Sequence, residues 1–429
     1  MHPITRAAYL IAGHAATLAS AIAPKGGRKV LRSLAARRGG LDEWEAWGRT
    51  RRDPARPLAW FHAPSVGEGL QARPVIDLIR ARRPEWQVAY TYFSPSAESF
   101  AAKLPVDVAG YLPFDTPRQG QRLVAALQPS ALVFAKLDVW PLLCEAAHGA
   151  GVPLGMVSGT VSRGSRRRGG LARALTRDAY ALLDGVGAIS DDDARRLVEL
   201  GCRPASVTVT GDTRYDQVWA RARGVDRAQG LVGALGSPRP TIVAGSTWPS
   251  DEAVVLPAFL ATCERVPRAR LIIAPHEPTD AHLRPIERWG EASGVDLARL
   301  GAPDVGDADV VLVDRVGVLG DLYALGTCAF VGGGFHAAGL HSVLEPAAFG
   351  IPVMFGPKHE KSRDAGLLLE QDGGASVRGV AELADAMTRW LGPGAAIAGD
   401  HARTVVQDGL GAAERAFDLV SRLVDPGEN

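Results

Sequence analysis

Residues 58–69 read LAWFHAPSVGEG, an apolar run that ends in HAPSVGEG and leads directly into a helical pattern. A related junction returns far down the chain, where residues 339–346 read GLHSVLEP, again between an apolar run and a helix. In both, a serine precedes a glutamate by three residues. Two such strand-to-helix junctions predict α/β structure in both halves of the chain.

From residue 58 onward, short apolar runs alternate with helix-like stretches, as in parallel sheets that carry helices on both faces. The predicted strands of the first half are 58–62, 87–92, 131–135, 153–157, 186–189 and 206–209. The predicted helices between them are 68–83, 117–127, 139–149 and 190–200. The second half has predicted strands at 240–245, 270–274, 309–313, 327–331 and 352–355. Two doubly wound domains would bind ligands at the carboxyl ends of their strands.

The chain has 429 residues, which is too long for one compact core, so two domains are expected. A polar and then Gly/Pro-rich stretch separates the two sets of strands and predicts a linker. We therefore expect an N-terminal helix with a basic segment at 1–38, a first domain at 39–215, a linker at 216–238 and a second domain at 239–429.

Composition excludes several classes of protein. Hydrophobic residues make up 46% and charged residues 22%, which is the profile of a globular protein. The formal net charge of +1 gives no sign of a nucleic-acid partner. The four cysteines form no CxxC pair, which favours a reducing compartment and argues against structural zinc or disulfides.

The N-terminus combines an uncharged stretch with a basic one. Residues 7–23 carry no charge, and they are followed by Lys25, Arg28, Lys29, Arg32, Arg37 and Arg38. The stretch is slightly short for a full membrane span and lacks a clear cleavage site. We expect a membrane-associated helix with its basic residues on the anionic-lipid side. The alternative is a helix packed on the protein's own surface.

The glutamates of the two junctions have a structural and a functional interpretation. Ser65 with Glu68, and Ser342 with Glu345, each fit a capping box, which needs no function. A helix N-terminus at the end of a strand also suits a phosphate or an ionised carboxylate. Such a carboxylate can accept a proton from a substrate hydroxyl, or it can bind the two hydroxyls of a ribose.

A glycine run ends another predicted strand. Gly332, Gly333 and Gly334 are followed by a loop with His336 and His341, and a helix is expected to open at Ser342. Glycines there let the backbone approach a ligand closely. Neither a P-loop nor a G-x-G-x-x-G fingerprint is present, so the run alone is a weak signal.

Two further motifs are ambiguous. His276 and Glu277, in APHEP, resemble half of a metal site, but the second histidine of the zincin motif is missing, so no metal is expected. A basic run in SRGSRRRGG is either a solvated surface or a site for the phosphates of a lipid. Its members are Arg163, Arg166, Arg167 and Arg168.

Taken in order, the motifs resemble one family. They are HAPSVGEGLQARPVID, YFSPSAES, YLPFDTP, AKLDVWP, GDTRYDQV, AGSTWPSDE, APHEP and GGGFHAAGLHSVLEPAAFGIPVMFGP. The pattern is similar to that of the 3-deoxy-D-manno-oct-2-ulosonic acid (Kdo) transferases of lipopolysaccharide assembly. The resemblance covers roughly residues 55–380, and so many motifs in register are highly specific.

The resemblance implies a GT-B fold, in which two Rossmann-like doubly wound domains face each other across a cleft, with an N-terminal membrane-associated helix. It implies inverting transfer of Kdo from CMP-Kdo to a hydroxyl of a lipid A precursor, without a metal or another cofactor. The implied partners are CMP-Kdo, the lipid A precursor and inner-membrane lipids, with no nucleic acid. The implied location is the cytoplasmic face of the bacterial inner membrane.

The resemblance also implies roles for individual residues. Glu68 corresponds to the family's general base, and Glu345 would hold the ribose of CMP while the phosphate rests near Ser342. The residues implied for acceptor positioning are Ser65, Gly67, Lys136, Asp138 and Arg163. The residues implied for CMP binding are Ser246, Thr247, Pro275, His276, Gly317, Gly332, Gly333, Ser342 and Glu345.

The chain departs from the family pattern at three positions. Asp138 stands where the family has Glu, Ser342 where it has Asn, and Val318 where many relatives have Glu. The shorter carboxylate at position 138 puts the positioning of the acceptor in doubt. Ser342 can still cap a helix, so phosphate binding survives that change.

Two rival functions stay open. One is a GT-B transferase that uses another nucleotide-sugar donor. The other is a catalytically silent scaffold that binds lipid A at the membrane, which the presence of Glu68 disfavours. The number of Kdo residues added and the acceptor hydroxyl are left open.

Overall fold

The computed structural model describes residues 3–23, 34–162, 164–303, 305–425 and 427. The chain forms two compact units, Met1–Gln217 with Leu410–Asn429, and Val218–Gly409. Each unit has its own seven-stranded sheet. The first unit begins with helices α1 (Pro3–Ile22) and α2 (Gly40–Thr50).

The sheet of the first unit has the strand order β3-β2-β1-β4-β5-β6-β7, and every neighbouring pair is parallel. Its strands are β1 (Leu58–His62), β2 (Gln87–Tyr92), β3 (Val108–Tyr111), β4 (Ala131–Ala135), β5 (Leu154–Gly159), β6 (Gly185–Ala188) and β7 (Val207–Val209). The order reverses between β1 and β4. In open α/β sheets, ligands bind outside the carboxyl ends of the strands at such a switch point.

Helices cover both faces of this sheet, and the residues of its inner strands β1 and β4 are therefore buried on both sides. Trp60 and Phe134 belong to the core on one face, and Phe61 and Val133 to the core on the other. The helices are α3 (Val66–Arg82), α4 (Glu98–Ala101), α5 (Pro117–Leu127), α6 (Pro141–Gly149), α7 (Gly170–Ala181), α8 (Asp191–Leu200), α9 (Arg214–Gly224), which continues into the second unit, and α18 (Ala412–Val424).

The second unit repeats this plan with the strand order β10-β11-β9-β8-β12-β13-β14, again with parallel neighbours. Its strands are β8 (Thr241–Thr247), β9 (Arg270–Pro275), β10 (Leu297–Arg299), β11 (Val310–Leu312), β12 (Cys328–Val331), β13 (Val353–Phe355) and β14 (Gly374–Ser376). The order reverses between β8 and β12, so the second switch point lies there.

The helices of the second unit complete its layers. They are α10 (Gly230–Ala234), α11 (Pro249–Cys263), α12 (Asp280–Ser293), α13 (Leu319–Leu322), α14 (Leu344–Ala348), α15 (Arg363–Glu370), α16 (Val380–Trp390) and α17 (Gly394–Asp408). The two parallel sheets confirm the predicted α/β class. Each predicted strand is present with its ends shifted by no more than two residues. The sequence missed β3, β10 and β14, which are edge strands without a continuous buried apolar run.

The division of the chain differs from the predicted one. The predicted linker contains part of α9 and all of α10. Helix α18, expected in the second domain, belongs to the first unit and packs on β5 and β6. The absence of a side chain at Gly155 admits Leu423, and Asp216 accepts hydrogen bonds from the amides of Gly411 and Ala413. These contacts are long-range, so local composition could not indicate them.

Helix α1 lies on the first unit through one face. The hydroxyl of Tyr9 donates to Asp115 at 2.8 Å. The opposite face exposes Ile11, Leu18 and Ile22, at 70%, 71% and 85% of their surface. Among the helices within the described ranges, none combines the length and apolarity needed to cross a bilayer. The basic residues between positions 25 and 32 lie outside the described residues.

Candidate functional site

The first junction places Glu68 in the opening turn of α3, beside the switch point of the first sheet. β1 ends at His62, and Ser65 has the extended backbone of a residue that precedes a helix (φ −138°, ψ 177°). Its side chain makes no hydrogen bond to a helix amide, and its hydroxyl donates to the carboxylate of Glu68 instead. The capping-box interpretation is therefore wrong for this pair.

Lys136 approaches the same carboxylate from the end of β4. Its Nζ lies 3.5 Å from Oε1 of Glu68, and the Glu68 side chain keeps 20% of its surface exposed. Lys136 has a left-handed backbone (φ 66°), which is costly for a residue with a side chain and often marks a functional turn. The structure thus brings together Glu68, Ser65 and Lys136 in an accessible cluster.

Gly67 lies between Ser65 and Glu68 with open space around it. A Cβ at position 67 would have a single neighbour within contact distance, the Ser65 Oγ at 3.8 Å. The packing of the first unit therefore does not require glycine there. A backbone without a side chain instead leaves room for a ligand beside Glu68.

Asp138 is held by the basic loop. Its Oδ1 accepts from Arg167 Nη2 at 2.7 Å, and Arg167 also donates to the Leu137 carbonyl at 2.8 Å. Burial raises the pKa of Asp138, but the surrounding hydrogen bonds and charges, among them those of Arg167, outweigh it and leave the pKa below its ordinary value. Arg163 lies outside the described residues.

His62 is a buried residue of this site that the sequence analysis did not select. The indole Nε1 of Trp140 donates to His62 Nε2 at 3.0 Å, and His62 Nδ1 lies 3.0 Å from the hydroxyl of Thr91. Because an indole only donates, Nε2 of His62 is the acceptor in the bond with Trp140. Asp138 Oδ2 is 3.8 Å from Nε2, and Arg167 is a permanent cation beside Asp138. The histidine of HAPSVGEG was the available signal.

In the second unit, the residues at the end of β8 lie at the other switch point. Ser246 has a left-handed backbone (φ 55°), and the hydroxyl of Thr247 donates to Glu252 Oε1 at 3.0 Å. Burial raises the pKa of Glu252, partly offset by this hydrogen bond. The amide of Trp248 donates to Asp251 Oδ2 at 2.9 Å, which starts α11.

The glycine run after β12 packs against this segment. A Cβ on Gly332 would lie 2.2 Å from the Ser246 carbonyl oxygen, so only glycine fits. Gly333 has φ +93°, and its amide donates to Asp251 at 2.8 Å. Asp251 also accepts from the amide of Phe335 at 3.1 Å. Asp251 therefore organises the glycine loop, although the sequence analysis missed it; the signal was the DE pair in AGSTWPSDE.

Aromatic rings gather over the same loop. Trp248 stacks on His336, with centroids 4.3 Å apart, and lies 4.7 Å from His276, which follows Pro275 at the end of β9. His341 stacks on His276 at 4.4 Å, and its Nε2 accepts from the Trp248 indole at 3.3 Å. Burial, reinforced by the charges of His276 and His336, lowers the pKa of His341 to about 4.

The second junction does not open a helix at Ser342. Helix α14 begins two residues later, at Leu344, with Val343 in the capping position, so this prediction is wrong. The amide of His341 donates to the Gly332 carbonyl at 3.1 Å, which holds the preceding chain in the glycine loop. Ser342 is thus part of the loop and caps no helix.

Glu345, the second residue of α14, is mostly enclosed. Burial raises the pKa of Glu345; the charge of Arg221 opposes this rise, and that of Asp321 adds to it. Arg221 donates to Asp321 at 2.9 Å and to the carbonyl of Gly317 at 3.4 Å. Gly317 has φ +91°, which favours glycine. Arg221 therefore lies near both Glu345 and Gly317.

The fold of this chain is similar to that of solved proteins. UDP-GlcNAc 2-epimerase from Neisseria meningitidis, solved bound to UDP-GlcNAc, has a similar structure with a TM-score of 0.60. The similarity covers 86% of this chain and 99% of the epimerase at 12% sequence identity, so it concerns the fold alone. It supports the observed succession of two parallel α/β units.

Sequence comparison identifies the family. Residues 38–217 match the family model described as 3-Deoxy-D-manno-octulosonic-acid transferase (kdotransferase). The 3-deoxy-D-manno-octulosonic acid transferase of Bordetella pertussis is 32% identical over 349 residues, 77% of this chain and 80% of that protein. The transferase of the same name from Aquifex aeolicus is 27% identical over 335 residues, 77% of this chain and 85% of that protein. This chain therefore belongs to the 3-deoxy-D-manno-octulosonic acid transferases, a family of glycosyltransferases.

Proposed function

We propose that this protein transfers Kdo from CMP-Kdo to a hydroxyl of a lipid A precursor of the lipid IVA type, with inversion and without a metal ion. The observation that carries the proposal is the accessible carboxylate of Glu68, which lies at the first switch point beside Ser65 and Lys136. Membership of the transferase family is the reason for proposing Kdo as the transferred sugar.

The reaction requires one base and one leaving group. Glu68 accepts the proton of the acceptor hydroxyl while that oxygen forms a bond to the anomeric carbon of Kdo. The bond between this carbon and the phosphate oxygen breaks, and CMP leaves with the electron pair. A single displacement of this kind inverts the anomeric centre. Lys136 Nζ lies 3.5 Å from Oε1 of Glu68 and holds the base at the end of β1 and β4.

The second unit supplies the donor pocket in this proposal. The ribose hydroxyls bind Glu345, and the phosphate lies over the segment formed by Ser246, Gly332 and Gly333. Because α14 has only five residues and starts after Ser342, its N-terminus contributes little to phosphate binding. His341 supports this role better, since acceptance from Trp248 leaves its other ring nitrogen protonated as a donor.

The proposal includes the cytoplasmic face of the inner membrane as the working place and a GT-B arrangement of the two units. Its support is the exposed apolar face of α1 and the basic residues that follow it in the sequence. Replacing Ile11 and Leu18 together by asparagine is expected to reduce cosedimentation with anionic vesicles at least tenfold. Val316→Asn, at a side chain that is 77% exposed in the second unit, is the control. Equal cosedimentation of both variants would exclude α1 as the membrane contact.

The decisive experiment is Kdo transfer from CMP-Kdo to a tetraacyl lipid A precursor by the unaltered protein and by Glu68→Gln. Glutamine keeps the size of the side chain but cannot take the proton, so we expect kcat to fall by a factor of about 100 to 10,000. Calorimetric binding of CMP should be unchanged, which shows that the variant is folded.

Other outcomes would redirect the proposal. Full activity of Glu68→Gln would remove Glu68 as the base. A protein that binds CMP but transfers nothing from CMP-Kdo would favour the silent scaffold. A protein that fails to bind CMP and accepts another nucleotide sugar would favour a different donor.

A further inference from the structure

An apolar cavity lies between α1 and the loops that follow β2 and β3 in the first unit. Its volume is about 550 Å³, which is within the range of small-molecule sites. Its walls include Ala12, Gly13 and Ala16 from α1, with Phe93, Phe114 and Trp140 from the body of the unit. Among the residues that the structure describes, none of those predicted for catalysis or acceptor positioning lines the cavity.

Small residues on α1 create this space. Gly13 packs directly on the loop after β3. A Cβ at position 13 would lie 3.1 Å from both the Asp115 carbonyl oxygen and a methyl group of Thr116. Ala12 and Ala16 flank this contact and have side chains too short to fill the gap. The cavity therefore exists because α1 docks at Gly13 and carries alanines beside it.

Asp115 and Arg37 are two polar side chains at the walls, and both contact the rest of the protein. Asp115 accepts from the hydroxyl of Tyr9 and from the amides of Leu142 and Leu143, at 2.8–3.0 Å. The guanidinium of Arg37 lies 3.6 Å from the ring centroid of Phe93 and donates to the carbonyl of the same residue. What these walls offer a ligand is mainly carbon surface, which suits a hydrocarbon rather than a sugar or a nucleotide.

One wall of the cavity is continuous with the Glu68 junction. The amides of Phe93 and Ser94 donate to the Pro64 carbonyl at 3.1 and 2.7 Å, and Pro64 is in the short loop that leads into α3, the helix that carries Glu68. Trp140, which stacks on Phe93 at 5.0 Å, is hydrogen-bonded to His62 at the end of β1. A chain bound in the cavity would thus hold its head group close to the first turn of α3, which carries the proposed base.

We propose that this cavity binds one saturated acyl chain of the lipid acceptor and so orients the acceptor hydroxyl toward Glu68. The proposal rests on the proposed function for the identity of the acceptor. A lipid is the occupant because the walls are apolar, because the opposite face of α1 exposes Ile11, Leu18 and Ile22 as a lipid-facing surface, and because the cavity adjoins the catalytic loop.

The test measures binding of octanoate, decanoate, dodecanoate and tetradecanoate by calorimetry, below their micelle-forming concentrations. Each methylene that enters the cavity should raise the affinity roughly fourfold until the cavity is full. Ala16→Phe fills the cavity and should abolish most of this dependence, with a loss of at least tenfold for dodecanoate. Ala15→Phe, on the exposed side of the same helix, is the matched control and should behave as the unaltered protein.

Ala12→Leu provides a milder filling variant if Ala16→Phe disturbs the docking of α1. In this variant the affinity should stop rising at a fatty acid that is a few methylenes shorter than in the unaltered protein. The thermal midpoint should stay unchanged. The proposal is overturned if the chain-length dependence is the same in the filled variants as in the unaltered protein. It is also overturned if the unaltered protein shows no such dependence, as expected when another part of the chain occupies the cavity.

Transfer assays separate this inference from the proposed function. With tetraacyl acceptor, Ala16→Phe should raise KM at least tenfold, and with a fully deacylated acceptor it should match the unaltered protein. Equal KM values for the tetraacyl acceptor would sink the acyl cavity and leave the transferase proposal intact. Absence of transfer to either acceptor by the unaltered protein would sink the proposed function, while the fatty-acid titrations would still report on the cavity.

Discussion

Ser65 to Glu68 and Ser342 to Glu345 both read Ser-Val-x-Glu, yet the two stretches adopt different structures. In the first unit the serine directly precedes a helix of 17 residues, and its hydroxyl donates to the glutamate. In the second unit the helix has five residues and starts after the serine. The side chain of Glu68 keeps 20% of its surface exposed. The side chain of Glu345 is mostly enclosed, and burial raises its pKa.

The difference teaches that residue spacing alone does not fix a helix cap. The second stretch is held by contacts from outside: the amide of His341 bonds Gly332, and Asp251 collects amides of the glycine loop. In the first stretch the contacts from Phe93 and Ser94 reach only Pro64, and the helix begins two residues later, at Val66. Three predictions test this contrast.

The largest expected effect is on stability. Gly333→Ala should lower the free energy of unfolding by about 2–5 kcal/mol, because φ is +93° and the new Cβ would lie 2.1 Å from the Gly339 carbonyl oxygen. Gly67→Ala should cause no loss, since its Cβ would meet only the Ser65 Oγ at 3.8 Å. Denaturant unfolding of both variants checks this, and equal losses would contradict the contrast.

The second prediction concerns the nucleotide. Glu345→Gln should weaken CMP binding about tenfold, because a charge-assisted hydrogen bond to the ribose is replaced by a neutral one. Glu68→Gln should leave the dissociation constant of CMP unchanged. Calorimetry on the two variants measures this directly. A loss of CMP affinity in Glu68→Gln alone would reverse the roles assigned to the two glutamates.

The smallest expected effect is a difference in pH dependence. The pKa of His341 is about 4 in the folded protein against an ordinary 6.5, so between these values the unfolded chain takes up a proton that the folded protein does not. Stability should therefore fall as the pH falls from 6.5 toward about 4. His341→Gln should reduce this fall in stability, measured by thermal unfolding, and an unchanged slope would refute the prediction.

Asp138 provides the comparison from the first unit. Its folded pKa lies below the ordinary value of 3.8, so its stabilisation is present above that value and is lost as the pH falls through the lowered pKa. Asp138→Asn should thus leave the slope between pH 6.5 and 4 unchanged. A change of this slope in Asp138→Asn would mean that the pH dependence of stability in this range also involves Asp138, in the first unit, as well as His341, in the second.

Much of the site was predictable because its residues occur in short motifs. Glu68 and Lys136 follow strands that the apolar runs had already located, and parallel strands β1 and β4 bring their carboxyl ends to one edge. His62 and Asp251 belong to quoted motifs but were overlooked, because their role is to hold other residues of the site. Such a role depends on partners far away in the sequence, Trp140 for His62 and Gly333 for Asp251.

The sequence by itself determined the α/β class, the central strands and the family, since buried parallel strands leave continuous apolar runs and the motifs are contiguous. Only the tertiary structure decided that α18 completes the first unit, that α14 starts after Ser342, and that α1 roofs an apolar cavity. These three features depend on which distant surfaces meet. Local propensity is too weak to specify such contacts, and packing overrides it.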